Sequence, residues 1–138
     1  MSWDGYIDNL MAEPTPVAEA AIYGFAEGSE SLWASTPGLK NITKEEIKRF
    51  ISEKEALQTS GACLAGKKCR LIRNQMEFEG VYCCDLKTAA AADGSTVSVC
   101  VGKTNKAFVI AFAKKDVSGG TLGDRVYKMV SYLRGLGY

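Results

Sequence analysis

Five aromatic side chains with polar tips are the residues best placed to do chemistry: Trp3, Tyr6, Trp33, Tyr132 and Tyr138. Trp3 and Tyr6 stand three residues apart near the start, which makes them neighbours on one helix face. Any single large ring is ordinarily core or rim packing. A cluster of rings carrying N–H and O–H donors, drawn from both ends of a chain, points instead to a groove for a polyproline II ligand. In such a groove rings stack on proline and their tips bond backbone carbonyls.

Covalent chemistry finds little support. The chain has no histidine, which removes Ser-His and Cys-His pairs and histidine metal ligands, so neither an enzyme nor a metal or cofactor site is expected. Cys63, Cys69, Cys83, Cys84 and Cys100 form an odd set without CxxC spacing. Adjacent Cys83 and Cys84 would point to opposite faces of a strand, and all five read as reduced, mostly buried thiols. GGTLGD lacks the lysine and spacing of a P-loop, so its glycines read as a tight turn.

The elements that must position the rings follow from pattern. Apolar Trp3, Ile7, Leu10 and Met11 predict a first helix, capped by Ser2 and stopped by EPTP at 13–16. AAIYGF and SLWAS, separated by AEGSE, predict a hairpin. NITKEEIKRFISEKEAL predicts one second helix, with Thr43 and Glu46 forming a capping box and Ile42 stapled to Ile47. CRLIRNQ, GVYCCDLKT, TVSVCVGK and AFVIAFAKK predict an antiparallel meander. A last helix opens at SGG, with Leu122, Val126, Met129, Val130 and Leu133 on its core face. On its wheel Tyr127 and Tyr132 fall about 110° from the centre of that stripe on opposite flanks, so one helix offers a ring to each of two surfaces.

At 138 residues and 14.9 kDa a single domain over 1–138 is expected, and 46% hydrophobic with 24% charged residues is ordinary for a globular fold. No apolar run reaches the roughly 18 residues of a membrane span, and a cytosolic protein is expected. Residues 1–60 carry 5 Lys+Arg against 10 Asp+Glu, and residues 61–138 carry 12 against 6, giving halves of −5 and +6. That split favours an acidic protein or lipid partner for the second half over nucleic acid.

The chain resembles the profilin family, of the animal type. The resemblance is carried by SWDGYIDNLM, AAIYGF, SLWAS followed by PG, NIT, KKCRLIR, DLKT, VSGG and YKMVSYLR, in that order over essentially the whole length. It implies an α+β fold: a central antiparallel sheet with the N- and C-terminal helices on one face and a further helix on the other. It also implies a cytoplasmic, cytoskeleton-associated, non-enzymatic protein, monomeric alone. Such a protein binds monomeric actin, promotes its nucleotide exchange, and binds proline-rich segments of actin-nucleation and elongation factors, together with phosphoinositide head groups.

By the same resemblance the proline groove takes Trp3, Tyr6, Asn9 and Trp33 with Tyr132, Leu133 and Tyr138. An actin face takes Lys68, Leu71, Ile72 and Arg73 from one strand and Lys87 from the next. Val117, Gly120 and Tyr127 complete it. Head-group binding would draw on Lys67, Lys68, Arg70 and Arg73 with Lys87 and Arg134, although strand alternation separates Lys67 and Arg73 from Lys68 and Arg70. On the actin face the chain departs from the vertebrate pattern at Arg70, Lys87, Ala89 and Ser118 and reverses charge at Asp124 and Lys128, and in the groove Tyr132 stands where vertebrate forms commonly have histidine. A small-molecule sensor domain has a similar architecture, but Phe108, Ile110 and Phe112 would fill its cavity.

Overall fold

The computed structural model describes residues 3–26 and 30–138; the Ser2 cap and most of the 26–30 turn lie outside the described residues. Seven antiparallel strands form one sheet in the order β2-β1-β7-β6-β5-β4-β3. They are β1 (Val17–Gly24), β2 (Ser31–Ser35), β3 (Ala62–Leu64), β4 (Lys67–Gln75), β5 (Cys83–Thr88), β6 (Ser98–Lys103) and β7 (Ala107–Ala113). Four helices, α1 (Asp4–Met11), α2 (Lys44–Ile51), α3 (Lys54–Ser60) and α4 (Gly119–Gly135), and a short 3-10 turn at Pro37–Leu39 cover it.

Because side chains alternate along a strand, each central strand supplies both cores. Tyr23, Cys84, Leu86, Phe108, Ile110 and Phe112 pack with Ile47, Phe50 and Leu57 of α2 and α3 on one face. Ile22, Cys83, Cys100 and Val109 pack with Ile7 and Leu10 of α1 and with the Leu122–Leu133 stripe of α4 on the other. The two terminal helices thus share a face, as expected. Phe108, Ile110 and Phe112 are buried in the first core, where a sensor domain would need space. Burial pushes the Cys84 thiol up to about 12, which leaves no thiolate for chemistry at neutral pH. Cys63 alone of the five cysteines is exposed.

Three expectations change. The second helix is two helices: Ser52 directs both its N–H and its hydroxyl at the Lys48 carbonyl, and Glu53 leaves helical geometry at φ −124°, ψ 45°. Ile47, Phe50 and Leu57 keep one apolar face across that break, so hydrophobic spacing alone reads straight through it. The short edge strand β3 is the second change, three residues long and below what alternation can reveal. Third, alternation along β4 is broken by a bulge at Ile72, where Leu71 pairs with Leu86 but Arg73 with Asp85.

The capping box at Thr43 and Glu46 is present, and the Glu46 carboxylate has a further role. It accepts the backbone N–H groups of Ala65 at 3.0 Å and Gly66 at 2.9 Å, tying α2 to the β3–β4 turn.

Candidate functional site

The first surface lies where the chain ends meet. Trp3 immediately precedes α1 and its ring touches three others: Trp33 at 4.6 Å between centroids, Tyr138 at 4.9 Å and Tyr6 at 5.0 Å. Tyr132 extends the row, 6.2 Å from Tyr6 and 57% exposed. Trp33 forms the floor because Gly24 beneath it has no side chain; a Cβ there would stand 2.4 Å from the indole.

Tyr138 is delivered by the end of α4. The Tyr138 N–H donates to the Leu133 carbonyl at 2.9 Å and the Gly137 N–H to Arg134 at 3.0 Å, a Schellman cap with Gly137 at φ +92°. That left-handed residue turns the last ring back over Trp3.

Six of the seven expected groove residues meet here or border the groove, Asn9 among them as an exposed member of the same α1 face. Leu133 differs: it is fully buried in the core beneath α4 and supports the groove from below. Desolvation, followed by the neighbouring phenols of Tyr132 and Tyr138, holds the Tyr6 hydroxyl above its ordinary range. The protonated donor is therefore favoured in the assembled groove; its advantage is complete below pH about 10 and is lost above it. Ligand affinity is expected to be flat from about pH 6 to 9 and to fall only on the alkaline side. Fluorescence titrations across that range check it, and a fall near neutrality would count against Tyr6 as a donor.

The second surface lies across α4. The bulge at Ile72 returns Arg73 to the same side as Arg70 and Lys87, correcting the strict alternation expected from the sequence. These residues line one cleft of about 800 Å³ with exposed Ile72, Val117 and Gly120. Arg73 donates to Asp85 at 3.0 Å, while Arg70 and Lys87 form no ion pair among the described residues. Lys68 lies two residues before Arg70 on the same side of β4. Tyr127 packs half-buried on the α4 flank opposite Tyr132.

Three expected residues stand apart from this cleft. Leu71 packs into the other core. Lys67 points to that other side as well, its Nζ 5.1 Å from the Phe112 ring. Arg134 is committed elsewhere: it donates to the Lys103 carbonyl at 2.7 and 2.9 Å and to Asn105 at 3.1 Å, and stacks 3.4 Å from the Tyr82 ring. Sequence reasoning missed Arg125 and set Lys128 among the charge changes of the actin face, whereas both border the first surface. Their spacing of seven and four residues before Tyr132 was the available signal, since it places all three on one helix flank.

Comparison with known proteins matches the profilin family model over residues 1–138. Human profilin-1 is 37% identical over 135 residues, covering 96% of this chain and 95% of the relative. Bovine profilin-2 is 34% identical over 139 residues, covering 99% and 98%. Among solved structures, mouse profilin IIa in complex with a double repeat from the FH1 domain of mDia1 superposes with a TM-score of 0.92. That match has 33% sequence identity and covers both chains completely.

Proposed function

The chain belongs to the profilin family, and from that premise we propose that it is a non-enzymatic adaptor of one domain, 1–138, working on the cytoplasmic actin cytoskeleton. One surface binds proline-rich segments of nucleation and elongation factors, and the other binds monomeric actin and regulates its polymerisation and nucleotide exchange. The observation that carries the first half is the stack of Trp3 against Trp33, Tyr6 and Tyr138. A polyproline II helix has no internal hydrogen bonds, so its carbonyls are open to indole and phenol donors while its rings lie on the aromatic faces. The second half rests on family membership and on exposed Ile72 set among Arg70, Arg73 and Lys87, an apolar point among three cations on a cleft that Asp85 and Asp116 also line.

In this reading Tyr132, Asn9 and the four-ring stack contact proline-rich ligand, with Leu133 holding them from beneath. Lys68, Ile72, Arg73, Lys87, Val117, Gly120 and Tyr127 face actin. Phosphoinositide head groups would share Arg70, Arg73 and Lys87, in competition with actin. Leu71, Lys67 and Arg134 take no direct part. Asp124 and Lys128 pair at 3.9 Å, so the two charges answer each other within α4 before any partner arrives.

Tryptophan fluorescence during titration with an oligoproline peptide, alongside sedimentation with monomeric actin, tests both halves. Binding of both ligands is expected. Tyr127→Ala is expected to weaken actin binding about tenfold and to leave oligoproline binding within twofold, because Tyr127 and Tyr132 occupy opposite flanks of α4. Equal loss of both ligands would show that the surfaces are not separate.

A further inference from the structure

Beyond Tyr6 and Tyr132 the groove opens into a cleft of about 830 Å³ between α1 and α4. Tyr6, Asn9 and Tyr132 belong to both, so a peptide leaving the ring stack at that end continues between Asn9 on one wall and Lys128 and Met129 on the other. Gly5 leaves the α1 wall low, since a Cβ there would meet nothing within 4 Å.

The charges on the cleft are Glu13, Arg125 and Lys128, with Asp124 beside them. Glu13 is already answered: its carboxylate accepts from Lys114 Nζ at 2.6 Å and from the Thr15 N–H at 3.3 Å. Asp124 meets Lys128 only at 3.9 Å, with both side chains about three-quarters exposed, so that pair opens at little cost. Arg125 donates to the carbonyls of Asn9 at 3.0 Å and Ala12 at 3.1 Å and has no carboxylate partner among the described residues. With Glu13–Lys114 and Asp124–Lys128 each neutral, Arg125 leaves the cleft one positive charge in excess.

Resting on the proline-binding reading, we propose that this cleft is a subsite for an aspartate or glutamate directly flanking the ligand's proline tract, and that Lys128 selects it. Arg125 is fixed by two carbonyls and supplies background potential. Lys128 is the mobile cation, free to leave Asp124 and meet the incoming carboxylate. A lysine in the same place of the ligand is repelled by the excess charge of Arg125, while the Asp124–Lys128 pair stays closed. The subsite thus ranks proline-rich partners by the residue that follows the rings rather than by the prolines themselves.

The test is a fluorescence titration at low salt with oligoproline peptides carrying two glutamates, two serines or two lysines, at one end and then at the other. At one of the two ends, glutamate is expected to bind about twofold to fivefold tighter than serine, and lysine weaker than serine, with the spread closing at high salt. Lys128→Glu is expected to invert the order of the glutamate and lysine peptides. Equal binding by all three peptides overturns the proposal, and so does a glutamate preference that survives Lys128→Glu. So does a preference abolished by Lys106→Glu, because Lys106 lies 5.7 Å from the Tyr138 ring, away from this cleft. If oligoproline itself fails to bind, the groove reading falls first, which keeps the two failures distinct.

Discussion

Trp3→Ala is expected to lower affinity for a proline-rich peptide by about 30-fold or more while leaving the sheet folded. Trp3 contacts three other rings, at 4.6, 4.9 and 5.0 Å, so its removal takes away the ring that Tyr6, Trp33 and Tyr138 share. Central aromatic anchors typically cost at least about 2 kcal/mol when truncated, and about 1.4 kcal/mol is tenfold in affinity. The residue lies outside both buried clusters and only packs against one, so circular dichroism and the thermal midpoint should change little. Trp33 remains as the fluorescent reporter. Trp3→Phe separates stacking from the indole N–H: most of the affinity should return if ring contact dominates. An alanine variant that binds within threefold of the parent would remove the ring stack from the ligand surface.

A second large effect is expected at Gly102→Ala, far from either ligand. A Cβ at Gly102 would stand 2.4 Å from Val130 Cγ2 and 2.9 Å from Val126 Cγ1, so α4 must lift from β6 or both valines must leave their rotamers. Overpacking of this kind typically costs about 1–3 kcal/mol. The thermal midpoint should fall by several degrees. Because α4 carries Tyr132 on one flank and Tyr127 on the other, and its C-terminal cap delivers Tyr138, both partners should weaken together, in contrast to the selective loss at Tyr127→Ala. An unchanged midpoint, or loss of one ligand alone, would contradict this account of how α4 is seated.

Much of the architecture was legible because apolar periodicity is long and consistent in the elements that matter. Leu122, Val126, Met129, Val130 and Leu133 mark one helix face without ambiguity, and Phe108, Ile110 and Phe112 one strand face. The wheel of α4 also separated Tyr127 from Tyr132. What escaped was set by single residues. Ser52 ends a helix through a local hydroxyl bond that no hydrophobic count can weigh. The bulge at Ile72 adds one residue to β4 and thereby moves Arg73 across the sheet, so the basic side chains gather where alternation had parted them. Leu133 and Arg134 were expected as ligand contacts by resemblance, yet one is core and the other a brace between α4 and the β6–β7 turn. Helical spacing had already put Leu133 on the core face, against the resemblance, whereas the bracing role of Arg134 has no signature in residue type.

The guanidinium of Arg125 joins α4 to the carbonyls that close α1, 113 and 116 residues away in sequence. Bringing such distant segments together is entropically slow to reward, and an eight-residue helix has little stability of its own. The meander β4–β7 links neighbours in sequence and can assemble before this clasp shuts. Docking of α1 is then expected to be a late folding step, and its detachment a local opening of lower free energy than loss of the sheet. A ligand lying across Trp3 and Tyr132 would oppose that opening, so amide hydrogens of α1 should exchange more slowly in its presence while those of β6 and β7 barely respond. Occupancy of the groove would then be written in the protection of the first helix.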